Sequence, residues 1–300
     1  MTQENCILGL YAQTSIHAGT GQDSGIIKLP IQREGHNGYP CVFGSAMKGA
    51  LRAQAEISYG ENDDKVTLTF GPASNGESAN DHAGAVMISD ARILLMPIRS
   101  LTSQFKWVTC PAVLIRYQQD ASRFGIDASF KIPVVPDPKG DEEAVALVVK
   151  NGNEDSLFLE EYRFNTNEDD LSEIITELEK LMSSKADIQE NLQKQLVIVS
   201  DDMFSHICQH ATPVNAHIAI DSDTKVVKPG ALWYEETLPP ETLLYVGVSA
   251  NASRHKDKKQ TANEILDNIT GLFTETPWVQ IGGNETVGMG WCAVKTQKGA

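Results

Sequence analysis

The order of apolar and polar residues divides the chain into short strands separated by turns. Residues 6–13 carry closely spaced apolar side chains, which is typical of a buried strand. Comparable apolar runs predict further strands at residues 66–70, 84–98, 196–199, 217–220, 232–234, 243–249 and 278–281. The strand at 278–281 is expected to be the last. Residues 75–81 predict a loop, and residues 137–170, which are polar apart from 144–149, predict a loop or an insertion.

Helical spacing appears in fewer places. In residues 44–55 the apolar side chains recur every third or fourth position, and Ser45 is a suitable N-cap. This helix places Lys48 and Arg52, four residues apart, together on its opposite face. An acidic amphipathic helix is predicted at residues 171–182, and others at 203–210 and 263–273, whereas 105–117 fits a helix or a strand. Strands with interleaved helices predict an α+β fold with an antiparallel sheet.

Composition limits the compartment and the covalent chemistry. A chain of 300 residues buries enough surface to fold without disulfides. Its five cysteines are scattered and odd in number, so a disulfide framework or a zinc ribbon is not expected, and Cys6 and Cys292 are predicted to be buried thiols. No apolar run reaches the ~20 residues of a membrane span, and the first residues lack a signal peptide pattern. We expect a cytoplasmic protein without a membrane partner.

The net charge of −15 argues at first against nucleic acid, because phosphate binding needs Lys and Arg. The distribution of charge weakens this objection. Residues 154–190 hold twelve acids and three bases, whereas residues 1–60 hold four of each. A neutral or basic face therefore remains compatible with the sequence.

Two N-terminal segments have the composition of anion sites. Residues 17–25 include three glycines, which let a phosphate backbone approach closely, although a plain surface turn explains them better when they are taken alone. They contain no P-loop pattern. The helix at 44–52 begins after a glycine, and a helix N-terminus attracts anions. Its two cations fit a phosphate site and an ordinary exposed helix face equally well.

Three later segments carry weaker signals. Residues 281–291 include four glycines after a strand, which fits a loop pressed against a ligand or another backbone, or a tight hairpin. His206 and His210 have helical zinc spacing, but Cys208 points elsewhere and a further ligand is not evident, so a metal site is disfavoured. The basic run 254–259 is either a solvated loop or a contact with RNA or an acidic neighbour.

Taken together, these segments resemble the RAMP superfamily of CRISPR-associated RNA-binding proteins, and within it the repeated backbone subunit of the type III-B (Cmr) complex. The residues that carry the resemblance are distributed along the whole chain, at 17–21, 29–34, 36, 38–40, 44–52, 88–92, 107–111, 232–236, 238–239 and 282–291.

The resemblance implies one hand-shaped domain over residues 1–300. Its palm would be a modified ferredoxin-like (RRM-type) sheet, with a β-hairpin thumb at about 215–244, helical finger insertions, and an insertion at about 137–195. Several copies would stack as a filament along a CRISPR RNA, together with other subunits of the complex. Each thumb would press into the duplex of guide and target RNA and flip a base pair at regular intervals.

The same resemblance implies the residues that hold RNA. Lys48 and Arg52 would bind guide phosphates, and the glycine-rich loop would pack close to the same backbone. Such contacts are independent of sequence and sensitive to salt. The full set of implied RNA-binding residues is His17, Gly19, Gly21, Arg33, Ser45, Lys48, Arg52, Gly282, Gly283, Gly288 and Gly290.

Members of this family also cut target RNA, with an aspartate just before a Pro-Ile-Gln-Arg element. Here that position is Lys28, and a lysine neither ligates Mg²⁺ as a carboxylate does nor replaces an acid. Asp23 is a weak candidate to replace this aspartate, and His17 and Glu235 are weak candidates to assist cleavage. Thr237 stands where a tyrosine is usual in the family, which further disfavours cleavage.

Four interpretations follow. The first is an RNA-binding subunit with impaired cleavage. The second is an active endoribonuclease that needs Mg²⁺ and cuts target RNA at regular intervals. The third, less favoured, is a stand-alone processing enzyme with His17 as general base. The fourth is a ferredoxin-like protein of unrelated function.

Overall fold

A computed structural model describes residues 3–73, 82–136, 138, 143–149, 156–182 and 187–300. The loop predicted at 75–81 lies outside the described residues. The strands are β1 Glu4–Ala12, β2 Cys41–Val42, β3 Val86–Ile88, β4 Ala91–Arg99, β5 Phe105–Thr109, β6 Ala144–Val149, β7 Ser156–Leu159, β8 Tyr162–Asp169, β9 Leu196–Ile198, β10 Val214–Ile220, β11 Val227–Glu236, β12 Leu243–Ala250, β13 Trp278–Gln280 and β14 Trp291–Lys298. The α-helices are α1 Gly44–Tyr59, α2 Asp64–Phe70, α3 Pro111–Arg123, α4 Ser172–Leu181, α5 Asp187–Gln195, α6 Asp201–His210 and α7 Ala262–Thr270.

One large sheet forms the body of the protein. Its strands run in the order β13-β14-β1-β12-β4-β5-β9-β6-β8-β7, with β2 beside β4 and β3 beside β12. In this order β1 lies between β12 and β14, so that Glu4 pairs with Ala250 and Cys6 with Lys298. The α+β prediction is confirmed. The expectation of a wholly antiparallel sheet is wrong, because β5–β9 and β6–β8 are parallel.

The core lies between this sheet and the helices that cover it. Helix α1 buries Met47, Leu51 and Ala55, as its spacing predicts. The five cysteines are free and buried, which confirms the prediction for Cys6 and Cys292. Burial raises the pKa of the Cys41 thiol to about 11. Among the described residues, no helix combines the length and apolar character that a membrane crossing requires.

Residues 66–70 form part of helix α2 and not the predicted strand. Asp63 caps this helix by accepting a hydrogen bond from the Lys65 amide at 2.8 Å, and Gly71 ends it at a φ of 100°. Within five residues, alternation and helical spacing give overlapping patterns, since Val66, Thr69 and Phe70 also share a helix face and are buried. The capping hydrogen bond of Asp63 favours the helix over the strand.

Ser45 is not the N-cap of α1. The helix begins at Gly44, the N-cap is Phe43, and no side chain of the cap residue accepts a hydrogen bond. Instead, the carboxylate of Asp90 accepts the Gly44 amide proton at 2.7 Å. The helix N-terminus that the sequence offers to an anion therefore already faces a carboxylate of the protein itself.

Other differences concern weakly patterned segments. The strand at 278–281 is not the last, because β14 follows it, and the region 137–170 holds β7 and β8 besides β6. The uncertain segment 105–117 contains both alternatives, strand β5 and the start of α3. Strands β8 and β14 mix polar residues into their exposed faces, which hides their period from the sequence.

Asp63 and Ser45 give a matched test of how the starts of α1 and α2 are capped. Asp63→Ala is expected to lower the free energy of unfolding by about 1 kcal/mol, because one amide at the start of α2 loses its acceptor. Ser45→Ala should leave it nearly unchanged, because the Ser45 hydroxyl caps no helix. Urea denaturation of both variants measures the difference, and a greater loss for Ser45→Ala would contradict the cap assignment.

Candidate functional site

Three segments that are distant in sequence meet around His17. Its Nδ1 lies 2.8 Å from the backbone carbonyl oxygen of Glu236 and 3.8 Å from Oε1 of Glu235. A carbonyl oxygen can only accept, so Nδ1 carries the hydrogen and Nε2 is left as the acceptor in the neutral ring. His17 is therefore held in one orientation by the end of β11.

The glycine-rich loop, residues 281–290, packs on the backbone beside His17. The Gly283 amide donates to the His17 carbonyl oxygen and the Gly290 amide to that of Ser15, both at 2.8 Å. Gly282 has a φ of +81°, and a Cβ there would lie 2.5 Å from the His17 carbonyl oxygen. The loop is thus both a hairpin connection between β13 and β14 and a close contact with another backbone, the two arrangements that the sequence left open.

The glycines near His17 have different surroundings. A Cβ at Gly19 would lie 2.7 Å from Nε2 of His17, so only glycine lets the ring occupy its place. Gly21 has a φ of +101° and Gly288 a φ of +82°, and at both positions an added Cβ would find no atom within 4 Å. Gly19 and Gly282 therefore serve close packing, whereas Gly21 and Gly288 serve turns.

Glu236 joins the same region to the rest of the protein. Its Oε1 accepts hydrogen bonds from Arg33 Nη2 and Thr212 Oγ1, each at 2.5 Å, and its Oε2 accepts one from the Ile31 amide at 3.0 Å. The carboxylate is buried. It therefore ties residues 31–33 to the start and the end of the hairpin formed by β10 and β11.

Arg33, which the resemblance places among the RNA-binding residues, is engaged within the protein. Its Nη1 donates to the carbonyl oxygens of Gly38 and Cys208, both at 2.8 Å, while Nη2 pairs with Glu236. A guanidinium with this many fixed acceptors is committed to holding segments together. The structure shows that Arg33 holds segments of the protein together, and its implied RNA contact stays a prediction.

The two cations of α1, Lys48 and Arg52, differ in whether they have partners within the protein. Arg52 donates to Glu56 Oε1 at 2.7 Å and to the Gly71 carbonyl oxygen at 2.9 Å. In the part of the chain that the structure describes, Lys48 has no hydrogen-bond or ion-pair partner, and its side chain is half-buried. Helix α1 also contacts β13, the strand that leads into the glycine-rich loop. Lys48 is therefore the cation of this helix that remains available to a phosphate.

Lys28 and Asp23 face one cavity of about 390 Å³ beside the hairpin. The Asp23 amide donates to the Lys28 carbonyl oxygen at 2.9 Å, which closes the loop between them. The cavity is completed by Leu232 and Trp233 of β11. The side chains of Lys28 and Asp23 are exposed, so Lys28 stands at the surface where the family resemblance expects an aspartate.

Asp23 and Glu235, the acids suggested to assist cleavage, each already accept a hydrogen bond within the protein. Asp23 Oδ1 accepts the amide of Gly25 at 2.8 Å, and Glu235 Oε1 accepts the side-chain amide of Asn284 at 2.5 Å. Across the described residues, no three His, Cys, Asp or Glu side chains are grouped to hold a metal ion. The ammonium group of Lys28 on the same cavity also disfavours a divalent cation.

Sequence reasoning assigned no role to three residues of this region, Glu236, Asn284 and Asp90, although each lies in a segment that carries the family resemblance. Asn284 adopts the left-handed conformation, with a φ of 62°, and reaches Glu235 from the glycine-rich loop. The asparagine among glycines was a usable signal, because asparagine tolerates that conformation. Glu236 and Asp90 act on residues far away in the chain, and their local sequence gives no sign of it.

The hairpin projects as a separate two-stranded sheet. It exposes apolar side chains, among them Ile218, Leu232 and Tyr234, and the rings of His217 and Trp233 stack at 5.5 Å. Apolar residues on a projecting ribbon indicate a surface that contacts another molecule. Its assignment as a thumb stays a prediction.

A mixed α+β sheet with a projecting hairpin, and a glycine-rich loop packed on a histidine segment beside a cationic helix, define the class of protein that the sequence motifs suggested. The sequence profile of the RAMP superfamily matches residues 10–293, and the chain therefore belongs to this superfamily.

Individual relatives agree over nearly the full length. The CRISPR system Cmr endoribonuclease Cmr4 of Pyrococcus furiosus is 32% identical over 292 residues, which cover 96% of this chain and 94% of the relative. The crystal structure of oligomeric Cmr4 from the same organism superposes with a TM-score of 0.74 at 26% identity, over 100% of both chains. A cryo-EM structure of type III-B Cmr-beta bound to cognate target RNA has a TM-score of 0.67 at 20% identity, covering 99% of this chain and 97% of that one, a likeness of fold.

Proposed function

We propose that this chain is an RNA-binding backbone subunit of a type III-B CRISPR complex, which stacks along the CRISPR RNA and presents it to target RNA. Membership of the RAMP superfamily supports this, as does the likeness to an oligomeric Cmr4. The observation that carries the proposal is the contact of the glycine-rich loop with the His17 segment, beside the helix that bears Lys48.

This arrangement suits a guide of any sequence. Glycines allow a phosphate backbone to approach closely, and Lys48 supplies a charge that reads no base. The protein as a whole is acidic, so such local groups must provide the attraction. The exposed apolar residues of the hairpin provide a surface for a neighbouring copy or for the RNA duplex.

Lys48→Ala is expected to weaken guide binding and to lower its salt dependence by about one unit of slope, because one phosphate contact is lost. Lys194→Ala is the matched control, since Lys194 is an exposed lysine paired with Glu190 on α5. Fluorescence anisotropy at several salt concentrations measures both. Unchanged binding by Lys48→Ala would refute the assignment of Lys48.

We further infer that this subunit cuts target RNA poorly or not at all. Lys28 supplies an ammonium group where relatives with an aspartate would have a carboxylate, and an ammonium group takes no proton from a 2′-hydroxyl. Asp23 supports the alternative, an active endoribonuclease that needs Mg²⁺, because it faces the same cavity as Lys28. The relative from Pyrococcus furiosus bears the name of an endoribonuclease.

The assembled complex, complementary labelled RNA and Mg²⁺ separate these two functions. We expect no products from the natural sequence and regularly spaced products from Lys28→Asp, since the substitution supplies the missing carboxylate. Products from the natural sequence that disappear in Asp23→Asn would instead establish the endoribonuclease. Cleavage of repeat RNA by the isolated chain, lost in His17→Ala, would indicate a processing enzyme.

A further inference from the structure

A cleft of about 960 Å³ lies between helix α5, strands β13 and β14, and the segment that precedes β12. Side chains of β1 and β5 also line it. Its volume is in the range of small-molecule sites, which is about 300–1,000 Å³. The residues discussed above for RNA binding are not part of its lining. We call it the Glu241 cleft.

Aromatic rings form part of the wall of the Glu241 cleft. The rings of Phe105 and Trp107 meet edge-on with their centroids 5.2 Å apart, and those of Tyr11 and Trp107 lie 6.5 Å apart. Trp278 adds a further ring at the edge of the sheet, where it is 41% exposed. The faces of aromatic rings carry a negative potential and attract organic cations. This wall therefore suits a ligand with ammonium groups.

Glu241 lines the cleft with a carboxylate that has no hydrogen-bond or ion-pair partner among the described residues. Its backbone is fixed, because its amide donates to the Ala12 carbonyl oxygen at 2.8 Å and its carbonyl oxygen accepts Trp107 Nε1 at 2.9 Å. Its φ of 72° lies in the left-handed region, which is unfavourable for a glutamate. Burial raises the pKa of this carboxyl group. A half-buried carboxylate without a counter-ion is stabilised by a cationic ligand.

Further hydrogen-bond acceptors line the same cleft. The side-chain oxygen of Gln195 is buried and finds no donor within the described ranges. Asp187, at the start of α5, adds a second, exposed carboxylate. Lys295 is the one cation among the lining residues that the structure describes, and it is already engaged within the protein. Two carboxylates and an unsatisfied amide oxygen match a ligand with several N–H donors.

These groups favour an aliphatic polyamine over other cations. A metal ion is held by several closely grouped ligands, and no three His, Cys, Asp or Glu side chains are so grouped in the described part of the chain. A single lysine or arginine side chain carries one positive charge, whereas the cleft offers the carboxylates of both Glu241 and Asp187. A linear polyamine carries several ammonium groups, and its methylene chain packs on apolar rings.

We propose that the Glu241 cleft binds an aliphatic polyamine. One ammonium group lies at Glu241 and a second at Asp187, and the methylene chain packs against Phe105 and Trp278. The proposal goes beyond the proposed function and does not depend on it, because the cleft is separate from the candidate RNA site. Where copies of the chain stack, the bound polyamine offsets part of the net charge of −15 and so lowers the repulsion between neighbours.

Isothermal titration calorimetry of the full chain, free of RNA, with spermidine tests the proposal. We expect one saturable site per chain. Glu241→Gln keeps the size of the side chain and removes its charge, so it should weaken spermidine binding about tenfold. Glu61→Gln is the matched control, because Glu61 is exposed outside the cleft and its substitution changes the net charge equally. The affinity of this control should be unchanged.

Trp278→Leu gives a second measure that does not alter the charge. It keeps an apolar side chain but removes the ring, and it should weaken spermidine binding about threefold. Circular dichroism establishes that each variant is folded. The proposal is overturned if spermidine binding does not saturate, or if Glu241→Gln and Glu61→Gln lower the affinity equally, since either result shows a general attraction to the acidic surface. Unchanged affinity in both Glu241→Gln and Trp278→Leu also overturns it.

Discussion

Glu236→Ala is expected to lower the free energy of unfolding by about 3–5 kcal/mol, the loss typical of a buried ion pair that is deprived of one partner. The substitution leaves the Arg33 guanidinium largely buried without its carboxylate, and it removes the acceptor of the Ile31 amide and of the Thr212 hydroxyl. Urea denaturation followed by circular dichroism measures the change.

Arg99→Ala is the matched control for this prediction. Arg99 also pairs with a glutamate, Glu160, but its side chain is 85% exposed. Solvent screens such a pair, so the unfolding midpoint should change little. Equal losses in the two variants would show that Glu236 does not organise the base of the hairpin.

Gly282→Ala is expected to destabilise the protein and to abolish most guide binding. A methyl group there would meet the His17 carbonyl oxygen at 2.5 Å, and a φ of +81° adds the strain of the left-handed region. The loop must move away from His17, which removes the contact that carries the proposed function. We expect a loss of unfolding free energy of about 1–3 kcal/mol beyond the backbone strain alone.

Gly288→Ala isolates that backbone strain. Gly288 has nearly the same φ, +82°, but no atom lies within 4 Å of the position of a Cβ. Its substitution should cost about 1–2 kcal/mol of stability and leave the guide affinity nearly unchanged. Thermal unfolding and anisotropy titrations of the two variants compare them. Similar guide affinities for both would contradict the role assigned to the contact with His17.

Local patterns predicted the elements that have a strong period or clear boundaries. Helix α1 and strand β1 follow from patterns that extend over eight or more residues. Residues 66–70 were misassigned because five residues support either period, and Asp63, the signal that separates them, lies outside the apolar run. Strand β14 was missed because only Cys292 and Val294 among its side chains are buried.

The candidate site was predictable as a set of segments but not as an arrangement. Motif resemblance brought His17 and the glycine-rich loop together, although no local pattern links residues so far apart in the chain. Spacing alone suggested that Lys48 and Arg52 were equivalent, and tertiary contacts make them different, since Arg52 is engaged by Glu56 and Gly71. The contacts of Arg33 with Gly38, Cys208 and Glu236 could not be predicted for the same reason.

The place of β1 between β12 and β14 has a consequence for biosynthesis. Glu4 must find Ala250, and Cys6 must find Lys298, so the pairings of β1 close very long loops. Folds dominated by such distant contacts form slowly. While the ribosome makes the intervening segments, the apolar side chains of β1 await their partners, and during that interval the nascent chain is most exposed to aggregation.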